Sequence, residues 1–159
     1  MPSLLFVCLG NICRSPLAEA AFRYHAAAAG LGTMADSAGT GDWHVGEPPD
    51  PRAIAEAAHH GIDITAYRGR QVNQVDFARF THIFALDGQN LADLRALRPA
   101  GATAQLSLLL DHVPGLAGQP VADPYWGDAA AFSETWHQVE LAAQALIAML
   151  REYPACPAG

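Results

Sequence analysis

The stretch Leu4-Leu5-Phe6-Val7-Cys8-Leu9-Gly10-Asn11-Ile12-Cys13-Arg14-Ser15-Pro16 leads from a short apolar run into an alanine-rich segment, Leu17 to Ala29. The run has the character of a buried parallel strand, and the segment after it reads as a helix with Glu19 in its first turn. Gly10 and Asn11 tolerate positive φ, so successive amides can turn inward and line a concavity. The following helix adds its free N–H groups and the positive end of its dipole. The product is a nest the size of a phosphate group. Pro16 suits the first helical position, where its missing N–H costs nothing, and Ser15 before it either caps the helix or gives its hydroxyl to Cys8.

A thiol stands at one end of this nest and a guanidinium at the other. The surrounding donors and the helix dipole favour the thiolate form of Cys8, and the planar fork of Arg14 can hold two phosphate oxygens. Cysteine and arginine at this spacing arise often by chance, and a cysteine that ends a strand is more often buried and inert. What tips the reading is the company: with Gly10, Asn11, Ser15 and Pro16 each where the geometry needs it, Cys8 is a nucleophile aimed at phosphorus. Leu9, Gly10, Asn11, Ile12, Cys13 and Ser15 then make up the wall that binds the anion.

Composition narrows the alternatives. A chain of 159 residues is most simply one domain, able to bury a sizeable core without disulfides or metals. Its net charge of −7, with nine Lys and Arg, argues against a nucleic-acid or anionic-membrane binder, both of which need basic surface. No apolar run approaches the roughly 18 residues that span a bilayer, and the N-terminus lacks a signal-peptide pattern, so a cytoplasmic location is expected. Three cysteines do not form a disulfide framework, and Cys156 in the tail reads as an exposed, non-catalytic thiol. The seven histidines do not join them at zinc spacing, so neither metal nor cofactor is expected.

Further along, Thr33 to Ala38 is a second strand candidate, and Gly39 to Pro51 is a loop in which Trp43 and His44 can line the entrance to the nest. Asp50 caps a helix over Pro51 to His60, stopped by Gly61, and Gly61 to Gln71 is a connecting loop. Val72 to Phe80 reads as a helical turn, Thr81 to Leu86 as a third strand ending at Asp87, Asn90 to Leu97 as a helix, and Gln105 to Leu110 as a fourth strand. A long helix, Ala129 to Tyr153, closes the chain with Leu141, Ala145, Ile147, Met149 and Leu150 facing in and Pro154 as its stop. Alternation of strand and helix implies an α/β fold with a parallel sheet, helices on both faces, and the site at the carboxyl ends of the strands.

Val7 to Glu19 resembles the phosphate loop of the low-molecular-weight protein tyrosine phosphatases. The resemblance continues through Ser37-Ala38-Gly39-Thr40, Trp43-His44-Val45-Gly46, Arg70-Gln71, Asp76-Phe77 and Asp87 with Asn90, and ends at Asp123-Pro124-Tyr125. It implies a single domain over 1–159, a four-stranded sheet ordered 2-1-3-4, and a cysteine-dependent phosphatase acting on tyrosine-phosphorylated protein, with phosphate or other oxyanions as product or inhibitor. It also makes Asp123, otherwise an unremarkable turn aspartate, the acid that protonates the leaving group, with Tyr125, Trp126 and Trp43 as an aromatic rim for an aryl phosphate. Cys13, beside the nucleophile, is then a resolving thiol that can trap an oxidised Cys8 as a disulfide.

The chain departs from the pattern in places. Tyr67 stands where bacterial members commonly carry a histidine that helps hold the loop asparagine, and a phenol replaces it only in part. Leu86 replaces a usual methionine, and Trp126 a frequent tyrosine. Two other readings share the nest: a phosphotyrosine-binding module without turnover, which predicts loss of Cys8 or Asp123, and an arsenate reductase, which needs further redox cysteines after the loop.

Overall fold

The structure, a computed structural model, describes residues 2–152. Strand β1 (Ser3–Cys8) lies at the centre of a four-stranded parallel sheet, between β2 (Met34–Gly39) and β3 (His82–Ala85), with β4 (Gln105–Leu108) outside β3. The order is β2-β1-β3-β4, as the resemblance implies. In register, Leu4 faces Ala35 on one side and His82 on the other, while Cys8 stands opposite Gly39 at the carboxyl edge.

Side chains of a strand alternate between faces, and β1 uses this to divide the core in two. Leu4, Phe6 and Cys8 join the layer formed by α1 (Arg14–Ala28) and α5 (Ala129–Arg151), with α2 (Pro51–His59) at its margin. Leu5 and Val7 join the opposite layer, with Phe77 from the short α3 (Asp76–Arg79) and Leu94 from α4 (Gly88–Leu97). Phe6 is 1% exposed and stacks on Phe84 at 5.7 Å while meeting Phe22 at 5.9 Å. Opening a cavity at such a position costs about 3–5 kcal/mol, so the strand that delivers Cys8 is rigidly held.

Several boundaries move from their expected places. Helix α1 begins at Arg14, so Pro16 is the third helical residue, Ser15 lies inside the first turn, and Glu19 lies beyond it. The proline is tolerated there because N–H groups of the first turn have no partner within the helix. Of the two residues expected to turn the loop through positive φ, only Asn11 does so, at φ 58°. Gly10 is small because a Cβ there would press on the His44 ring. The fourth strand stops at Leu108 and continues as a 3₁₀ turn, Leu109–His112. In α5 the buried stripe runs through Phe132, Thr135, Trp136, Val139, Ala142, Ala143, Leu146, Ile147 and Leu150, whereas Leu141, Ala145 and Met149 sit at its edge. An alanine-rich helix is apolar on nearly every side, which leaves its periodicity ambiguous. Cys156 and the expected stop at Pro154 lie outside the described residues.

Candidate active site

β1 ends at Cys8, the chain turns through residues 9–13, and α1 starts at Arg14, so the loop lies over the helix N-terminus at the carboxyl edge of the sheet. The turn fits closely against the end of β2: a Cβ on Gly39 would fall 2.8 Å from the Leu9 carbonyl oxygen. The amides of Thr40 and Gly41 donate to the Cys8 and Leu9 carbonyls, both at 2.9 Å, and lock the two segments together.

The Cys8 sulfur is buried. It accepts the Asn11 backbone N–H at 3.3 Å and lies 3.0 Å from Ser15 Oγ. Counting protons gives the direction of the second contact. Asn11 Nδ2 donates to Ser15 Oγ at 2.8 Å and to Ser37 Oγ at 3.0 Å, and Ser37 gives its one proton to Glu19 Oε1 at 2.8 Å. Ser15 therefore keeps its own proton for the sulfur or for the more distant Ala38 carbonyl at 3.4 Å. Asn11 Oδ1 accepts the Arg70 N–H at 3.0 Å, so each polar atom of that amide has a partner and its left-handed backbone is held from three sides.

Tyr67 is not needed to close this network. The Ser37–Glu19 pair does so, backed by Arg23 Nε donating to Glu19 Oε2 at 2.7 Å. Burial pushes the Glu19 carboxyl above its ordinary range, although Ser37 and Arg23 pull it back. Tyr67 packs on the core beside it, its phenol pushed up to about 12 by burial and by the neighbouring Glu19. The partial replacement of a histidine expected of Tyr67 is thus taken over by a serine and a glutamate.

Arg14 is 3% exposed. Its Nη1 donates to Asp87 Oδ2 at 2.7 Å and to the Val121 carbonyl at 3.1 Å, while Nη2 lies 3.7 Å from Asp123 Oδ2. Burial alone would weaken the cation, but Cys8, Asp87 and Asp123 more than offset it and hold the guanidinium firmly charged. Asp87 also caps α4, accepting the Asn90 N–H at 2.7 Å, so its carboxylate is fixed before it meets Arg14.

These groups open on a cavity of about 230 Å³. Cys8, Leu9, Gly10, Ile12, Cys13 and Arg14 form its floor and inner wall, and Trp43, His44, Asp123, Tyr125 and Trp126 its rim. Trp43 is 66% and Trp126 91% exposed, and Trp126 meets Tyr125 edge-on at 4.8 Å. Asn11 and Ser15 stand behind the wall, supporting the sulfur. His44 stands at the entrance with Trp43, as expected, its Nδ1 2.7 Å from Glu47 Oε2. Two groups not expected from the sequence also shape the site. Asp87 holds Arg14, and its position directly after the third apolar strand was the available signal. The Val121 carbonyl also holds Arg14, and no side-chain pattern could have revealed it. Among the described residues no group of three or more metal-ligating side chains occurs, and no helix is long and apolar enough to cross a membrane.

A cysteine at the floor of an amide-lined loop, between the first strand and first helix of a parallel sheet covered on both faces, marks a phosphate-loop protein of the cysteine class. The chain belongs to the low molecular weight phosphotyrosine protein phosphatase family, whose model matches residues 3–155. It is 46% identical over 152 residues to the low molecular weight protein-tyrosine-phosphatase of Streptomyces coelicolor, covering 92% of each chain. Its fold matches the crystal structure of YfkJ from Bacillus subtilis with a TM-score of 0.90 at 38% identity, over 98% of each chain. A protein tyrosine phosphatase from Entamoeba histolytica, solved with Hepes in its active site, matches with a TM-score of 0.90 at 34% identity, over 96% of this chain and 98% of that one.

Proposed function

We propose that the protein is a protein tyrosine phosphatase that hydrolyses phosphotyrosine and aryl phosphates through a cysteinyl-phosphate intermediate. The observation that carries the reading is that one cavity brings together the Cys8 sulfur, the charged edge of Arg14 and the Asp123 carboxyl under an aromatic rim. In the first step the Cys8 thiolate attacks phosphorus, the bond from phosphorus to the ester oxygen breaks, and Asp123 gives its proton to the departing phenolate. In the second, Asp123 takes a proton from water, the water oxygen attacks the phosphorus, and the sulfur–phosphorus bond breaks to return the thiolate and release inorganic phosphate. Loop amides and Arg14 bind the equatorial oxygens throughout. The scheme needs no cofactor, and its partners are tyrosine-phosphorylated protein and free oxyanions.

Turnover of p-nitrophenyl phosphate in the presence of a chelator, with preference for a phosphotyrosyl over a phosphoseryl peptide, is the test. Tight phosphopeptide binding without turnover would favour the binding-module reading and sink this one.

Arg14 is used on both edges. Nη1 is committed to Asp87 and Val121, which leaves Nε and Nη2 as the pair able to hold two phosphate oxygens. A lysine can satisfy Asp87 or the phosphate, not both, so Arg14→Lys is expected to slow the phosphorylation step about 10²-fold or more. Stopped-flow single turnovers that remain within a few fold of the parent would contradict the clamp.

Cys13 faces the same cavity, and burial, with Asp50, Cys8 and Asp123 adding to it, pushes its thiol well above the ordinary range. After the Cys8 thiolate attacks peroxide, breaking its O–O bond to form a sulfenic acid and release hydroxide, the Cys13 thiolate can attack that sulfur, expel hydroxide and close a disulfide. Because Cys13 holds its proton near neutrality, closure should accelerate with pH from about 6 to about 9. Peroxide inactivation of Cys13→Ser should resist rescue by dithiothreitol more than that of the parent. Equal rescue, or a closure rate flat in pH, would remove Cys13 from the pathway.

A further inference from the structure

Arg52, the second residue of α2, reaches out of its helix in two directions. Its Nε and Nη2 bind the two oxygens of Asp50, at 3.0 and 2.9 Å. On its far side Nη2 donates to the Tyr125 carbonyl at 3.0 Å and Nη1 to the Gly127 carbonyl at 3.1 Å. The guanidinium also lies over the Phe132 ring at 4.7 Å and the Tyr125 ring at 5.6 Å. Both ends of this bridge lead to the site. Asp50 caps α2 by accepting the Arg52 N–H and donates its own N–H to the Ile12 carbonyl of the phosphate loop at 2.9 Å. Tyr125, whose carbonyl Arg52 holds, donates its N–H to Asp123 Oδ1 at 3.1 Å.

We infer that Arg52 is a positioning residue that ties the phosphate loop to the segment carrying Asp123 and thereby sets where that carboxyl stands over the sulfur. The inference rests on the reading of Asp123 as the acid. Upstream of Asp123 the segment has its own anchors: the Val121 amide donates to the Leu86 carbonyl at 2.8 Å, the Val121 carbonyl accepts from Arg14, and Thr135 Oγ1 shares its proton between the Ala131 carbonyl at 3.1 Å and the Ala122 carbonyl at 3.3 Å. Downstream, Asp128 begins α5 by accepting the Ala131 N–H. Between these anchors, the Tyr125 and Gly127 carbonyls take up the two Arg52 donors across 73 and 75 residues of sequence. The route from Arg52 to the acid is short, since one residue, Tyr125, receives the arginine at its carbonyl and grips the carboxyl with its amide. A displacement of about 1 Å at a reacting group can cost about 10²-fold in rate.

The variant to make is Arg52→Met, which keeps the apolar stem against Phe132 but removes every donor. Single-turnover phosphorylation by phenyl phosphate, whose leaving group needs a proton, should fall about tenfold or more, and that by p-nitrophenyl phosphate no more than about threefold. The inhibition constant of inorganic phosphate should stay within about twofold, since the nest is intact. A role in stability alone would lower both rates together. Arg52→Lys, able to reach one carbonyl, should recover part of the phenyl phosphate loss. In an Asp123→Asn background Arg52→Met should add less than about twofold for either substrate, because the two act through one proton. Equal losses for both substrates in Arg52→Met, with a selective loss in Asp123→Asn, would overturn the inference alone. Equal losses in Asp123→Asn itself would overturn the acid reading and this inference with it.

Discussion

Cys8→Ser is expected to lower turnover by about 10⁵-fold or more while leaving oxyanion binding measurable. The proposed mechanism assigns the loop two jobs, done with different atoms. Binding uses backbone amides, the α1 N-terminus and Arg14, none of which the substitution touches. Attack uses the sulfur, held between the Asn11 amide at 3.3 Å and the Ser15 hydroxyl at 3.0 Å. A serine hydroxyl in the same place is scarcely ionised and is a far weaker nucleophile toward phosphorus than sulfur. Serine is smaller than cysteine and fits the space, and Phe6 and Phe84 still fix the strand beneath it. Binding of phosphate or vanadate to the variant can be followed by tryptophan fluorescence, since Trp43 and Trp126 both stand on the rim. Appreciable turnover in the variant would remove Cys8 as nucleophile. Loss of anion binding together with turnover would mean that the sulfur holds the loop in shape.

Much of this site was legible because its requirements are local. A strand, a turn with Asn11 able to adopt positive φ, and a helix start within 13 residues define the nest, and a parallel sheet places it at the carboxyl edge. Legibility ends where a residue's function depends on a partner far along the chain. The Ser37–Glu19 pair links the loop asparagine to β2 and α1, and nothing near Tyr67 announces that it would do so. Arg52 reads in sequence as an ordinary first-turn residue after a capping aspartate, because its targets are backbone carbonyls of Tyr125 and Gly127, which carry no side-chain signature. The α1 boundary differs for a related reason: Pro16 signals a helix start only to within a turn, and the helix begins two residues before it, at Arg14.

Asp123→Asn is expected to cost about 10²–10⁴-fold on a substrate with a basic leaving group and far less on one that leaves unaided. The carboxyl sits at the rim, its Oδ1 gripped by the Tyr125 amide and its Oδ2 3.7 Å from Arg14 Nη2. An asparagine can keep an acceptor toward the Tyr125 amide, so the segment retains its shape, but it has no proton to give. The departing p-nitrophenolate is weakly basic and can leave as an anion, whereas phenolate and tyrosine phenolate are much stronger bases and gain most from protonation. Measured by single turnover, phosphorylation by phenyl phosphate should therefore fall much further than phosphorylation by p-nitrophenyl phosphate. The ratio of the two losses isolates proton donation from any general disturbance of the rim, because loosened packing of Tyr125 or Trp126 would slow both. The second step gives an independent reading: with no base to take the proton from water, the cysteinyl phosphate should accumulate when p-nitrophenyl phosphate is supplied, visible as a burst of p-nitrophenolate ahead of slow turnover. If both substrates slow by the same factor and no burst appears, Asp123 positions the segment and a different group moves the proton.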